Sequence, residues 1–369
     1  MEELVQFRLA GPRQQVAIAT LVREKPLNSL LLDTIDQLAE NIYAWLADDS
    51  IACIVLDSSS ERAFCAGADI TVLYRAIKEA NGGANPYAEA FFMNEYKLNY
   101  ALHTATKPIV VWGQGIVLGG GWGLLGGCSH RVGTPSTRIA MPEINIGLFP
   151  DAGGTKFLSS LGELGMFAGL TGFQMSAGDG LDLKLLDFVV DPTSKDAIFE
   201  GLESMQWATD EKENGRLVSE MLAQYRTAEQ LPRKLLSHRD RVTSLIKACH
   251  AADNFFEVFD SAPEFGDEAL DAAMTAYKKG CATTARIFVE QMRRAKGMSL
   301  ADMFRMELVV AYQCIRHADF AEGVRALLID KDRKPDWTYK SARDVPDSHV
   351  EAHFVPAWSG AHPLEALGE

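Results

Sequence analysis

The chain has 369 residues, 47% apolar and 23% charged, a composition with room for one large globular domain and an accessory one. Its formal net charge of −14 excludes a sequence-independent grip on nucleic acid or anionic lipid, which needs clustered Lys and Arg. No apolar run approaches the roughly 20 residues that cross a bilayer, so no nucleic-acid or membrane partner is expected.

The segment MEELVQFRLA has neither a basic n-region nor an apolar h-region, so no secretory leader is expected, and the cytoplasm or an organelle matrix is the expected location. VAIATL (16–21) reads as a strand, and LNSLLLDTIDQLAENIYAWLADD (27–49) as an amphipathic helix. IACIVLDSS (51–59) is a second strand, feeding the turn-like ERAFCAGADI (61–70). A helix is expected from Tyr87 to Ala105, ending before Lys107-Pro108 because a residue preceding proline avoids the helical region. PIVVWGQG (108–115) is a buried strand, followed by the glycine-rich IVLGGGWGLLGG (116–127). Strand, glycine-rich loop and helix in alternation predict an α/β core. From about residue 191 helical periodicity takes over, and the prolines and histidines after 345 read as irregular. The expected organisation is a catalytic core over 1–195, a helical C-terminal region over 196–345 and an irregular tail over 346–369.

Three loops carry the chemistry. Phe64-Cys65-Ala66-Gly67-Ala68-Asp69-Ile70 follows a strand, and its small residues let the backbone approach a ligand with N–H groups available. Gly119-Gly120-Gly121 enters a helix expected at Trp122, which suits either tight helix–strand packing or N–H groups aimed at an anion. The third loop, Met141 to Gly154, holds Glu143 and Asp151, eight positions apart with Gly147 and Pro150 between them. They cannot share one regular helix, but a loop can aim both at one point. Carboxylates among apolar neighbours such as Ile144, Leu148 and Phe149 have raised pKa values and serve as acids, bases or nucleophiles. The plainer alternative makes Asp151 a helix N-cap and Glu143 a solvated side chain.

Other chemistries are poorly supported. Gly121-x-Gly123-x-x-Gly126 fits a dinucleotide fingerprint, but its glycines begin well past the strand end and no acidic residue stands about 20 positions on. The six cysteines show no CxxC pair, no HExxH occurs, and the serine elbow GxSxG is absent, so free thiols and no metal or cofactor are expected. Any hydrolysis must then use carboxylates.

Together, LNSL, FCAGADI, KPIVVWGQGIVLGGG and MPEINIGLFPDAGGT resemble the enoyl-CoA hydratase/isomerase (crotonase) superfamily over about residues 5–340. The resemblance implies a spiral core of repeated ββα units and an acyl-CoA ligand. It implies an oxyanion hole made by the backbone N–H groups of Ala68 and Gly120, with Ala66, Gly67, Asp69, Gly119 and Gly121 lining the acyl-CoA site. Hydratases of the family carry a glutamate where Gly123 stands and a glycine where Asp151 stands. Glu143 with Asp151, and the stretch GVRALLIDKDRKPDW (323–337), resemble instead the 3-hydroxyisobutyryl-CoA hydrolase branch. That branch often has glycine in place of Ala68, a difference to which a backbone N–H is indifferent. The implied activity is hydrolysis of a 3-hydroxyacyl thioester of valine breakdown, with Glu143 as nucleophile or general base and Asp151 on the 3-hydroxyl. A hydratase or isomerase, or a non-catalytic acyl-CoA-binding protein, are the alternatives. For assembly, the resemblance implies either a homo-oligomer (trimer or hexamer) or a monomer.

Overall fold

Apolar runs make the central strands, and burial on both faces explains their composition. The computed structural model describes residues 3–368; the first two residues of the N-terminal segment read above and Glu369 lie outside the described residues. The chain divides into two units by its internal contacts. One comprises the residues through Ala68, Lys97–Ile139 and Met175–Arg233; the other comprises Asp69–Tyr96, Ala140–Gln174 and Lys234 onward.

The first unit holds ten short strands: β1 (Val5–Ala10), β2 (Val16–Leu21), β3 (Cys53–Ser58), β4 (Ala63–Cys65), β5 (Ile109–Gly113), β6 (Ile116–Leu118), β7 (His130–Gly133), β8 (Arg138–Ala140), β9 (Met175–Ser176) and β10 (Phe188–Val189). A six-stranded sheet runs β1-β2-β3-β5-β7-β10, antiparallel only at β1–β2. Strands β3 and β5 are buried at every position, as a parallel sheet covered on both faces requires. Alternate residues Val16, Ile18, Cys53, Val55, Val110 and Trp112 face one side, where Ile198, Leu202, Val218 and Leu222 of helices Lys195–Ser204 and Glu211–Ala223 cover them. A second sheet runs β4-β6-β8-β9. The segment expected as a turn (61–70) therefore contains strand β4, too short and too close to glycine to show a period.

Helix α1 spans Leu32–Ala47, shorter at its N-terminus than the expected start at 27. Leu27 and Asn28 adopt positive φ, and Leu30 forms a bridge with Ala68, so the helix cannot begin there. Helices α2 (Ile70–Ala80) and α3 (Pro86–Thr104) follow, the latter close to its expected limits. Helix α4 (Gly120–Gly127) starts two residues before Trp122 and is buried throughout. Glycine weakens a helix interior by about 1 kcal/mol relative to alanine. Here it is required, because a Cβ on Gly121 would overlap the Cys65 carbonyl and one on Gly127 would meet Leu102 Cβ at 2.8 Å.

The second unit is helical apart from its loops. Helices α5 (Gly154–Ser160) and α6 (Glu163–Thr171) lie in the core segment, and α6 is buried at all but its first residue. Gly165 and Gly169 share one face of α6, where a Cβ would overlap the Leu158 carbonyl and the Phe288 ring. Helices Arg239–Ala251, Glu268–Lys279 and Ala282–Arg294 pack on α6. No strand follows β10 among the described residues. The helical periodicity read from about residue 191 does not run unbroken: extended His317 separates Leu300–Cys314 from Ala318–Val324. The tail carries a short helix, Asp347–Ala352, with Val350 buried.

Candidate active site

Strands β4 and β6 are parallel neighbours, so the loops that leave their C-terminal ends start side by side. Leaving β4, Ala66 N–H donates to the Leu27 carbonyl, and Gly67 takes φ +90°, where a Cβ would stand 3.0 Å from the Leu118 carbonyl oxygen. Leaving β6, Gly119 takes φ 52° and ψ −124°, a conformation that only glycine reaches without strain. Its carbonyl accepts the N–H groups of Trp122 and Gly123 and so opens α4. Gly120 is the first residue of that helix, where an N–H has no intrahelical partner. Among the described residues, neither the Ala68 nor the Gly120 N–H donates to another backbone group. Gly121 serves the packing of α4 on Cys65. The dinucleotide-like glycines 121, 123 and 126 all lie inside that buried helix, not in a loop.

The carboxylates belong to the second unit. Glu143 opens a single helical turn, Glu143–Asn145, and its carbonyl accepts from Ile146 and Leu148. The loop around it is pinned from the C-terminal helices: Cys281 N–H donates to the Ile144 carbonyl at 2.8 Å and Thr284 Oγ1 to the Leu148 carbonyl at 2.6 Å. Glu143 is 5% exposed, and its Oε2 is buried with no hydrogen-bond partner among the described residues. Burial, with the Asp151 charge adding to it, holds the Glu143 carboxyl well above the usual carboxylate range. A solvated Glu143 is thereby excluded.

Asp151 is equally buried, and the Tyr96 hydroxyl donates to its Oδ2 at 2.7 Å. Burial raises its carboxyl to about 7 while the Tyr96 bond pulls the other way. Asp151 does not cap α5 with its side chain. Gly153 is the N-cap residue, and the N–H groups of Gly153 and Thr155 donate instead to Glu307 at 2.8 and 2.9 Å. Glu307 is wholly buried on helix Leu300–Cys314, and burial raises it to about 8 against the pull of the Thr155 hydroxyl and of those two main-chain bonds. Glu95, on α3 beside Tyr96, is buried too, with Oε1 unpartnered among the described residues. Burial raises its pKa well above the usual range, with Asp151, Glu307 and Glu143 adding to the effect in that order.

Of the residues expected from the sequence, the first unit places Ala66, Gly67, Ala68 and Gly119 on two loops that leave neighbouring strands, and Gly120 and Gly121 in the first turn of α4. The second unit brings Glu143 and Asp151 into one electrostatically coupled group. Asp69 there serves as the residue preceding α2, with Oδ1 accepting from Thr71 at 2.7 Å. Sequence reasoning missed Glu95, Tyr96 and Glu307. A signal exists for Glu307, a lone carboxylate in the apolar run MFRMELVVAY, since such residues are almost never buried without a reason.

Four buried carboxyls with no cation paired to them among the described residues raise one another's pKa values, which disfavours ionising all four at once and favours sharing of protons among them. Such a cluster can offer one carboxylate as nucleophile or base and another as proton carrier. Main-chain N–H groups that donate to no backbone carbonyl among the described residues, such as those of Ala68 and Gly120, are the kind of donor that can stabilise a developing oxyanion.

The enoyl-CoA hydratase/isomerase family model matches residues 16–354. The 3-hydroxyisobutyryl-CoA hydrolase, mitochondrial, of Gallus gallus is 34% identical over 92% of this chain and 86% of its own length. The protein of that name from Homo sapiens is 33% identical over 91% and 85%. Among solved structures, a carnitinyl-CoA dehydratase from Mycobacterium thermoresistibile superposes with a TM-score of 0.82 at 30% identity, over 96% of this chain and 97% of that one. An enoyl-CoA hydratase from Rhodobacter sphaeroides 2.4.1 gives 0.83 at 27% identity, over 96% and 98%.

Proposed function

The chain belongs to the enoyl-CoA hydratase/isomerase family, and from that premise we propose that it hydrolyses a 3-hydroxyacyl-CoA thioester, 3-hydroxyisobutyryl-CoA first among them. The observation that carries the reading is the buried Glu143–Asp151 pair in a chain that has Gly123 in α4, where the family's hydratases place a glutamate. The hydrolases of chicken and human, similar over most of their length, support it.

In this reading the thioester oxygen accepts from the N–H groups of Ala68 and Gly120, which stabilise the negative charge it gains. Glu143, desolvated and with one oxygen unpartnered, attacks the carbonyl carbon or takes a proton from the attacking water. Either route ends with the C–S bond broken, water's oxygen in the carboxylic acid, and its hydrogen on the CoA thiol. Water and the protein's carboxylates account for every atom, so the reaction requires no cofactor. Tyr96 occupies Asp151 Oδ2 and turns that carboxylate into a fixed acceptor, whose remaining lone pairs meet the substrate's 3-hydroxyl. A buried polar group left unpaired by an unhydroxylated analogue rejects it by a large factor. The relatives' names place them in mitochondria, and an organelle-matrix location belongs to the same proposal. No helix among the described residues is long and apolar enough to cross a membrane.

Release of free CoA thiol from a panel of acyl-CoAs tests the proposal. The expected outcome is fastest release from 3-hydroxyisobutyryl-CoA, slower release from isobutyryl-CoA, and no rapid hydration of crotonyl-CoA. Hydration without thiol release would favour the hydratase reading, which the names of the similar solved structures suggest. Binding without turnover of any ester would leave only an acyl-CoA-binding protein.

A further inference from the structure

The turn that presents Asp151 is not one its own sequence favours. Ala152 and Gly153 take successive positive φ values of 51° and 89°, and alanine is a poor residue for that conformation. The Asp151 carbonyl accepts from Gly154 at 2.6 Å and closes the turn, which leaves the flanking N–H groups to be satisfied from elsewhere. Glu307, more than 150 positions further along the chain, supplies both acceptors, Oε2 to Gly153 and Oε1 to Thr155. Gln291 of helix Ala282–Arg294 completes the hold, donating to the Pro150 carbonyl at 2.8 Å and to Thr155 Oγ1 at 2.6 Å.

A capping serine or threonine would satisfy such N–H groups without burying a charge. Glu307 instead sits wholly buried with no paired cation among the described residues, and the Asp151 charge acts on it. Only a carboxylate offers two coplanar acceptors to two N–H groups on either side of one residue, and that fork fixes the orientation of the residues between them. Leu158 and Phe157, which bury α5 itself, do not reach that function, since they act beyond the turn.

We infer that Glu307 is a positioning residue for Asp151: by clamping the N–H groups of Gly153 and Thr155 it sets the direction in which Asp151 meets the 3-hydroxyl of the acyl chain. The inference rests on the reading of Asp151 given above. It assigns to the C-terminal helical region a part in acyl selectivity and not in support alone. Glutamine at 307 keeps one acceptor but turns an NH2 group toward one of the two N–H donors, so the turn loses half its clamp.

The test is a double-mutant cycle on selectivity. The ratio of kcat/KM for 3-hydroxyisobutyryl-CoA to that for isobutyryl-CoA is measured for wild type, Asp151→Asn, Glu307→Gln and the double variant, with Tm recorded for each. Glu307→Gln is expected to narrow the ratio about as much as Asp151→Asn, roughly tenfold, and the double variant no further, because both act through one hydrogen bond. A Glu307→Gln ratio equal to wild type beside a lowered Tm would make Glu307 a structural cap and overturn the inference, as would narrowing that multiplies in the double variant. Were Asp151→Asn itself to leave the ratio unchanged, the reading of Asp151 would fall first, and that result is separate from any seen with Glu307. If Glu307→Gln does not accumulate as folded protein, Glu307→Asp, which keeps the carboxyl group on a side chain one methylene shorter, takes its place in the cycle. A narrowed ratio in that variant supports the inference, and a wild-type ratio overturns it.

Discussion

The loops after β4 and β6 offer main-chain N–H groups, whereas the carboxylate cluster offers side chains from three separate stretches of the chain. In the first region side chains matter by their absence: Gly67 and Gly121 are required because backbone approaches backbone, and Gly119 because of its φ and ψ. In the second, identity is everything, and each acid depends on neighbours that keep it dry and direct its protons. The comparison teaches that one chain can build donors that tolerate no bulk and acids that tolerate no water, each by different rules.

The largest effect that would sharpen this contrast is expected at Glu143. Glu143→Gln should lower kcat by about a thousandfold or more while acyl-CoA binding stays within about tenfold, since the group acts mainly in the transition state. Retention of more than a few per cent of kcat, with binding followed by calorimetry, would remove Glu143 from its role.

The next effect is on stability and pH. A carboxyl raised in the folded state binds its proton more tightly there than in the unfolded chain. Its contribution is therefore present below the unfolded pKa, near 4, and is lost as pH climbs to the folded value, about 7 for Asp151. Asp151→Asn removes that loss, on the order of a few kcal/mol at most, while keeping an acceptor for Tyr96. Its Tm should exceed wild type at pH 8, with the gap closing toward pH 5. A gap that is the same at both pH values would show that Asp151 does not titrate in this range.

On the glycine side, Gly121→Ala forces a methyl group into the Cys65 carbonyl, and a cost of about 1–3 kcal/mol is expected in chemical denaturation. An unchanged midpoint would mean that α4 can move away from β4 freely. The smallest effect belongs to Ala68→Gly, which leaves the N–H in place: kcat within a few-fold of wild type is expected. A large loss there would show that the side chain, and not the backbone, does the work.

The β4 and β6 loops and the Glu143–Asp151 loop were legible because each is local: the residues that matter lie within a few positions of one another, flanked by strands or by apolar neighbours. The helix limits were less so. Leu27 and Asn28 take positive φ where tertiary bonds hold them: Ala66 N–H donates to the Leu27 carbonyl, Asn28 Nδ2 to Ser58 Oγ and the Phe64 carbonyl, and Leu30 bridges to Ala68.

By itself the sequence determined the α/β alternation of the core, its most apolar strands, the helix that ends before Pro108 and the helical character of the later chain, because hydrophobic period, glycine runs and proline act over short distances. Tertiary structure alone decided that Asp151 is held by Tyr96 rather than capping α5, and that Glu307 satisfies the N–H groups of Gly153 and Thr155. It alone buried Glu95 among three other acids. Within α3, Glu95 and Tyr96 read as ordinary helix positions. What makes the four acids a cluster is desolvation, and desolvation belongs to packing between segments far apart in the chain.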